Sequence, residues 1–166
     1  LLVTLSQSGE TIDVIDAARV ARERGSRVAA LVNVEGSSLW RMADLTVPLG
    51  AGPERCVLAT KSFTAKVAVL LLTAYELRGR LDEGIVLLET AADEIELMLA
   101  DERRDVVRRI AEDIARREHL FVIGRGLSYP LALEAALKVK EVSYLHAEGF
   151  AGGELKHGVI ALVEPG

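Results

Sequence analysis

Two stretches of this sequence hold side chains whose types and spacing could do chemistry. The first, "SQSGET", places Ser6, Gln7, Ser8 and Thr11 around Gly9. Three hydroxyls and an amide are hydrogen-bond donors without charge, and a glycine lets backbone approach a ligand closely. Where such a loop opens a helix, the helix adds unpaired N–H groups and the positive end of its dipole. That combination suits a phosphate carrying no metal ion. The other account is a serine or threonine N-cap, worth ~1 kcal/mol. One cap needs one hydroxyl, however, and this stretch supplies three and an amide. It is not a P-loop, because no Gly-Lys-Ser/Thr follows.

The second stretch is "YPLALEAALKVKEVSYLHAEGFAGGELKHG". On a helix, Glu134, Lys138 and Glu141 fall at i, i+4 and i+7 and share one face. Lys140 is the only other charge, and the flanks Leu131, Ala132, Leu133, Ala135, Ala136, Leu137, Val139 and Val142 are apolar. A narrow acid–base–acid stripe between apolar flanks suits proton transfer, because partial burial shifts the pKa values of its groups. A solvated i,i+4 ion pair is the alternative. His157, in the glycine-rich "GGELKHG", and His146 and Glu148 are by themselves ordinary polar residues. "GRGLSY" from Gly124 follows a strand and opens a helix, but Tyr129 stands where a dinucleotide fingerprint needs its third glycine, so that signal is weak.

The elements that must position these residues alternate. Strands are expected at Leu1–Ser6, Arg27–Asn33, Leu45–Leu49, Leu120–Ile123 and near Val159–Val163. Pro48 makes the third of these an edge strand. Helices are expected over about Thr11–Arg24, with Gly25 as its stop, Lys61–Arg80, Asp82–Leu99, Asp101–Arg117 and Tyr129–Tyr144, and a single helical turn at Ser38–Met42. Loops with glycines join Leu49 to the second long helix and Tyr144 to the last strand. Alternating strands and helices with near-continuous apolar strands predict an α/β fold whose parallel sheet is covered on both faces. The three successive helices break the alternation and predict a junction of two α/β units near Ala100.

Composition sets further limits. The 166 residues are half hydrophobic and 27% charged, a globular rather than disordered balance. Net charge is −5, so nucleic-acid binding has no electrostatic support. Cys56 is the single cysteine, which excludes a disulfide framework. His119, His146 and His157 are too widely spaced to show a zinc pattern. The longest apolar run, Val67 to Ala74, is too short to span a membrane. Leu1 lies inside a strand-like run and "VIALVEPG" reads as a strand finishing, so the chain is expected to be a piece of a longer protein. Such a piece, with bare strand edges and apolar helices, is expected to behave poorly alone.

"SQSGET", "ATKSFTAK" and "GRGLSYPLALEAALKVKEVSYLHAEGFAGGELKHG" together resemble the tandem sugar-isomerase (SIS) domains of glucosamine-6-phosphate synthase and its relatives. The resemblance runs from Leu1 to Gly166, and "ALKVKEVSYLHAE" with "GELKHG" carries most of its specificity. It implies a three-layer αβα sandwich with a central parallel sheet, in two truncated tandem units: residues 1–100 from a first SIS domain and 101–166 from a second. It implies a cytoplasmic homodimer that binds a sugar phosphate at the junction of the two halves, with no cofactor, metal, nucleic acid or membrane. Carried over by position, Ser6, Gln7, Ser8 and Thr11 would hold the phosphate, and Glu141 would shuttle a proton between the first two sugar carbons. Lys138 would lie at the second-carbon oxygen with Glu134 close by, and His157 would assist ring opening from the neighbouring subunit. The family's Schiff-base lysine would fall beyond Gly166 and an earlier phosphate loop before Leu1, so the fragment is expected to hold an incomplete, inactive site.

One departure stands out. The synthases usually carry serine where Ala59 stands. "GPERCVLATKSFTAK" is more similar to SIS-type glucosamine-6-phosphate deaminases, whereas "GELKHG" is more similar to the synthase. Both imply interconversion of fructose-6-phosphate and glucosamine-6-phosphate, as a deaminase or as the isomerase half of a glutamine-dependent aminotransferase. The alternatives are an SIS enzyme acting on another amino-sugar or glycated amino acid phosphate, and a non-catalytic SIS regulator that binds sugar phosphate. A regulator needs phosphate contacts but no proton shuttle, so the Glu134–Lys138–Glu141 stripe and His157 argue against it.

Overall fold

The structure, a computed structural model, describes residues 1–163. The chain divides into two compact units, Leu1–Glu94 and Ile95–Gly166. The first holds β1 (Leu2–Ser6), α1 (Ile12–Glu23), β2 (Val28–Val32), α2 (Ser38–Met42), β3 (Leu45–Pro48) and α3 (Thr60–Glu76). Helix α4 (Leu81–Met98) carries the division between Glu94 and Ile95. The second unit holds α5 (Asp101–Ile114), β4 (His119–Gly124), α6 (Ser128–Ser143), β5 (His146–Ala151) and a 3-10 turn at Val159–Leu162. All strand pairs are parallel, so the class is α/β as the alternation predicts.

In the first unit the strand order is β1-β2-β3. Strand β2, "VAALV", is buried at every residue because it pairs on both edges and is covered on both faces. Val28, Ala30 and Val32 meet Ala18 of α1 and Leu39 of α2 in a core with no solvent exposure. Burying each of the two valines contributes about 2 kcal/mol. The Thr4 hydroxyl is buried within β1 and donates to the Ala29 carbonyl oxygen at 3.0 Å, which satisfies it. Among the described residues β3 pairs with β2 alone, and Pro48, which lacks an N–H, sits on that edge strand.

In the second unit β4, α6 and β5 form a βαβ crossover, with His119↔His146 through Gly124↔Ala151 in register. Two glycines let the helix lie directly on the strands. A Cβ on Gly149 would stand 2.8 Å from the Leu133 Cα, and one on Gly124 would stand 2.6 Å from the Tyr129 Cα. Both are closer than real side chains tolerate. Ala132 and Ala136 of α6 and Ala147 of β5 are buried at this contact.

Two expectations are corrected here. The segment expected as a final strand near Val159–Val163 forms a 3-10 turn over Val159–Leu162. Its amides close locally instead: Ala161 N–H donates to the Gly158 carbonyl at 3.0 Å and Ile160 N–H to the Leu155 carbonyl at 3.0 Å. Conversely, "HAEGFA", read as part of a glycine loop, is strand β5. Ala147, Gly149 and Ala151 alternate along it, and small residues are what a strand pressed against α6 requires. Pairing with β4 outweighs the low strand propensity of glycine and alanine. The closing residues 164–166 of "VIALVEPG" lie outside the described residues. No helix among the described residues is long and apolar enough to cross a membrane.

Candidate functional site

Ser6 ends β1, so the "SQSGET" loop leaves the sheet at the carboxyl ends of its parallel strands, where open α/β sheets bind ligands. The Ser6 hydroxyl is buried, accepts the Gly9 N–H at 2.9 Å and lies 3.3 Å from the Thr11 hydroxyl. The Ser8 hydroxyl accepts the Glu10 N–H at 3.1 Å. Gln7 is half-buried, and its carbonyl accepts the Asn33 N–H at 3.2 Å, which ties the loop to the end of β2.

Gly9 has φ +69°, a left-handed conformation that glycine adopts without strain. A Cβ there would lie 2.6 Å from the Ser37 Cβ, so no larger residue fits. The Gly9 carbonyl accepts the Leu39 N–H at 3.0 Å, and the Glu10 carboxylate accepts the Ser38 N–H at 2.7 Å. That backbone hydrogen bond, with further help from the Ser38 side chain and Arg41, holds the Glu10 carboxyl below the ordinary carboxylate value. The Glu10 charge is thereby committed to the start of α2 rather than to α1. Thr11 is the N-cap of α1 but makes no side-chain cap bond. Its hydroxyl stays beside Ser6 next to the unpaired first N–H groups of the helix. A neutral set of donors at a positive helix end can hold an anion.

On α6 the structure brings Glu134, Lys138 and Glu141 together. The Lys138 ammonium lies 3.0 Å from the Glu134 carboxylate and 3.3 Å from that of Glu141. All three side chains are about three-quarters buried, with 22%, 25% and 27% exposure for Lys138, Glu134 and Glu141. Burial pushes the Lys138 ammonium down, but the hydrogen bonds it donates to both carboxylates and their charges outweigh it, and its pKa rises above the ordinary lysine value. Lys138 is therefore a held cation and not a base. His157 lies in the turn after β5, exposed and outside the ion-paired trio, with its N–H donating to the Glu154 carbonyl at 2.9 Å.

The SIS domain family matches residues 1–75 and 113–166, more than half of the chain. The chain belongs to the SIS domain family. The glutamine–fructose-6-phosphate aminotransferase (isomerizing) of Thermococcus kodakarensis is 46% identical across the whole chain, which spans 29% of that protein. Its counterpart in Corynebacterium diphtheriae is 48% identical, with 28% of that protein spanned. Among solved structures, the C-terminal domain of glucosamine-fructose-6-phosphate aminotransferase from Francisella tularensis superposes with a TM-score of 0.83. It is 37% identical over 98% of this chain and 47% of that one. Glucosamine-6-phosphate deaminase from Thermotoga maritima superposes with a TM-score of 0.82 at 25% identity, over 99% of this chain and 49% of that one.

The SIS chain also holds residues at its loops that sequence reasoning passed over. Ser37 is buried against Gly9 and its hydroxyl has no hydrogen-bond partner among the described residues. The only signal was "GSS" in the turn between β2 and α2. Glu54 reaches from the loop after β3 to accept the Ser62 N–H at 2.7 Å, inside the first turn of α3. That bond holds the Glu54 carboxyl below its ordinary value, against a smaller opposing effect of desolvation. Ala59 is the N-cap of α3 with φ +50° and offers no side-chain cap. Glu54 does the capping from a distance.

Proposed function

We propose that the full-length protein interconverts fructose-6-phosphate and glucosamine-6-phosphate, as the isomerase half of a glutamine-dependent aminotransferase. The observation that carries this reading is the partly buried Glu134–Lys138–Glu141 trio on one face of α6. A ketose-to-aldose shift moves one hydrogen from the first sugar carbon to the second, and one carboxylate that reaches both carbons can take it and return it. Glu141 has that role. Lys138, kept charged by its two carboxylates, stabilises the oxygen on the second carbon as it gains negative charge. Glu134 fixes Lys138. The Ser6, Gln7, Ser8 and Thr11 side chains and the start of α1 hold the phosphate. Residues 1–100 and 101–166 belong to two successive SIS domains of a cytoplasmic homodimer, in which His157 of the partner subunit assists ring opening.

The 46% and 48% identities to isomerizing aminotransferases support this reading over hydrolysis. The resemblance of the Ala59 stretch to the deaminases, where the synthases usually carry serine, favours the deaminase direction. Glucosamine-6-phosphate formation by the full-length protein, with glutamine and with ammonia as nitrogen donors, separates the two.

The central test is Glu141→Gln in the full-length protein. It is expected to keep the fold and sugar-phosphate affinity and to lose about 100-fold or more in turnover, the scale of a general base. Solvent deuterium incorporation at the first sugar carbon falls in parallel. Exchange at the parental rate would place the base elsewhere, with Glu134 or Glu148 as the next candidates.

A further inference from the structure

His119 and His146 open β4 and β5 and stand directly opposite each other in the parallel register. Their Nδ1 atoms are 3.0 Å apart, with ring centroids at 5.0 Å and ring planes at 89°. Both rings are exposed. They project from the face of the strands opposite α6, since the helix packs on the alternate residues Ala147 and Gly149. The pair lies at the amino ends of the strands. Gly124 and Ala151 end the same two strands about 16 Å away at ~3.3 Å per residue, so the carboxyl-end chemistry makes no use of these imidazoles.

We propose that His119 and His146 form a two-nitrogen site for a divalent transition ion of tetragonal preference, copper(II) or nickel(II). The spacing allows one ion to be shared. Two nitrogens bound at about 2.0–2.1 Å to one ion are about 2.9 Å apart at a right angle and about 3.3 Å apart in a tetrahedron. The observed 3.0 Å falls within the span that two imidazoles sharing one ion need, and among first-row divalent ions such a nitrogen site binds copper(II) most tightly. In the metal-free pair one ring is the Nδ1–H tautomer and donates to the other's Nδ1 lone pair. On binding, that proton moves to Nε2 of the same ring, both rings stay neutral, and each Nδ1 gives a lone pair to the ion. Among the described residues no group of three or more His, Cys, Asp or Glu is placed to hold an ion. The two imidazoles are therefore the protein's ligands, and water completes the coordination. The ion links the starts of β4 and β5, two strands joined only by parallel pairing and by α6.

The test titrates untagged full-length protein with copper(II) sulfate, followed by calorimetry and electron paramagnetic resonance. One equivalent is expected with a tetragonal spectrum and nitrogen coupling. His119→Ala and His146→Ala should each weaken binding at least about tenfold, since loss of even an outer partner of a metal ligand costs that much. His119→Gln, which keeps a polar partner for His146, should lose copper to the same degree, with circular dichroism confirming that it folds. His157→Ala should bind as the parent does. Undiminished binding by both alanine variants, equal loss with His157→Ala, or a spectrum showing sulfur ligation by the exposed Cys56 would overturn the proposal.

Discussion

The two compact units hold their polar side chains by different means. In the first, the Ser6–Thr11 loop is fixed by segments distant in sequence: Asn33, Ser38 and Leu39 donate backbone N–H groups to Gln7, Glu10 and Gly9. In the second, Glu134, Lys138 and Glu141 fix one another along a single helix. The difference extends to the cores. The first unit buries Val28, Val32 and Leu39 completely, whereas the second buries alanines, with Leu131, Leu133, Leu137 and Val142 of α6 left largely exposed. A binding loop gains rigidity from many tertiary bonds. A helical stripe needs only its own periodicity, provided that something seats the helix, and here Gly124 and Gly149 do so.

The sharpest way to break this contrast is to strike the seat of each region. Gly9→Ala places a Cβ at a left-handed φ and against Ser37. Strain of about 1–2 kcal/mol adds to overpacking of about 1–3 kcal/mol. Chemical unfolding of the full-length protein should register a loss in this range, with sugar-phosphate affinity lost as well. Adding Ser37→Gly should recover the packing part and leave the conformational part. A stable Gly9→Ala that binds normally would show that the loop is not held as described.

Gly149→Ala is expected to cost less, about 1–3 kcal/mol, because only close approach to α6 is at stake. Its signature should differ in kind: turnover falls as α6 shifts, while sugar-phosphate affinity stays near the parental value. Equal effects of Gly9→Ala and Gly149→Ala on affinity and turnover would erase the division of labour.

pH sharpens the comparison further, since the two regions carry shifts of opposite sign. The Glu10 carboxyl is held below its ordinary value of 4.5 in the folded protein, chiefly by the Ser38 N–H. Its contribution to stability is complete above that value and is lost as pH falls through the lowered folded one. Lys138 is opposed by burial but raised above its ordinary 10.5 by Glu134 and Glu141. Its contribution is complete below 10.5 and is lost as pH rises through the raised folded value. Thermal melting across pH should therefore show Glu10→Gln converging on the parent in acid and Lys138→Met converging in strong alkali. The reverse pattern would contradict both shifts.

The smallest effect is expected at Ser37. Its buried hydroxyl lacks a partner among the described residues, so Ser37→Ala removes a polar atom that gains nothing from burial. The change should be neutral or stabilising by no more than about 1 kcal/mol. Destabilisation beyond that in thermal unfolding would reveal a hydrogen bond made by the full-length protein.

What the sequence by itself determined is whatever repeats locally. The alternation of strands and helices, the edge position of Pro48, the hydroxyl loop after β1 and the face shared by Glu134, Lys138 and Glu141 all follow from spacings of a few residues, because helix and strand periods are local properties of the chain. Tertiary structure alone decided the rest. "HAEGFA" has weak strand propensity and becomes β5 because β4 offers hydrogen bonds and α6 requires small residues above it. The apolar "VIAL" closes on itself in a 3-10 turn. Ser37 meets Gly9 across a helix, a strand and a turn, and His119 meets His146 across 27 residues. Such meetings depend on which segments pair and in what register, and that is settled by burial and hydrogen bonding summed over a whole unit, which no short window of sequence contains.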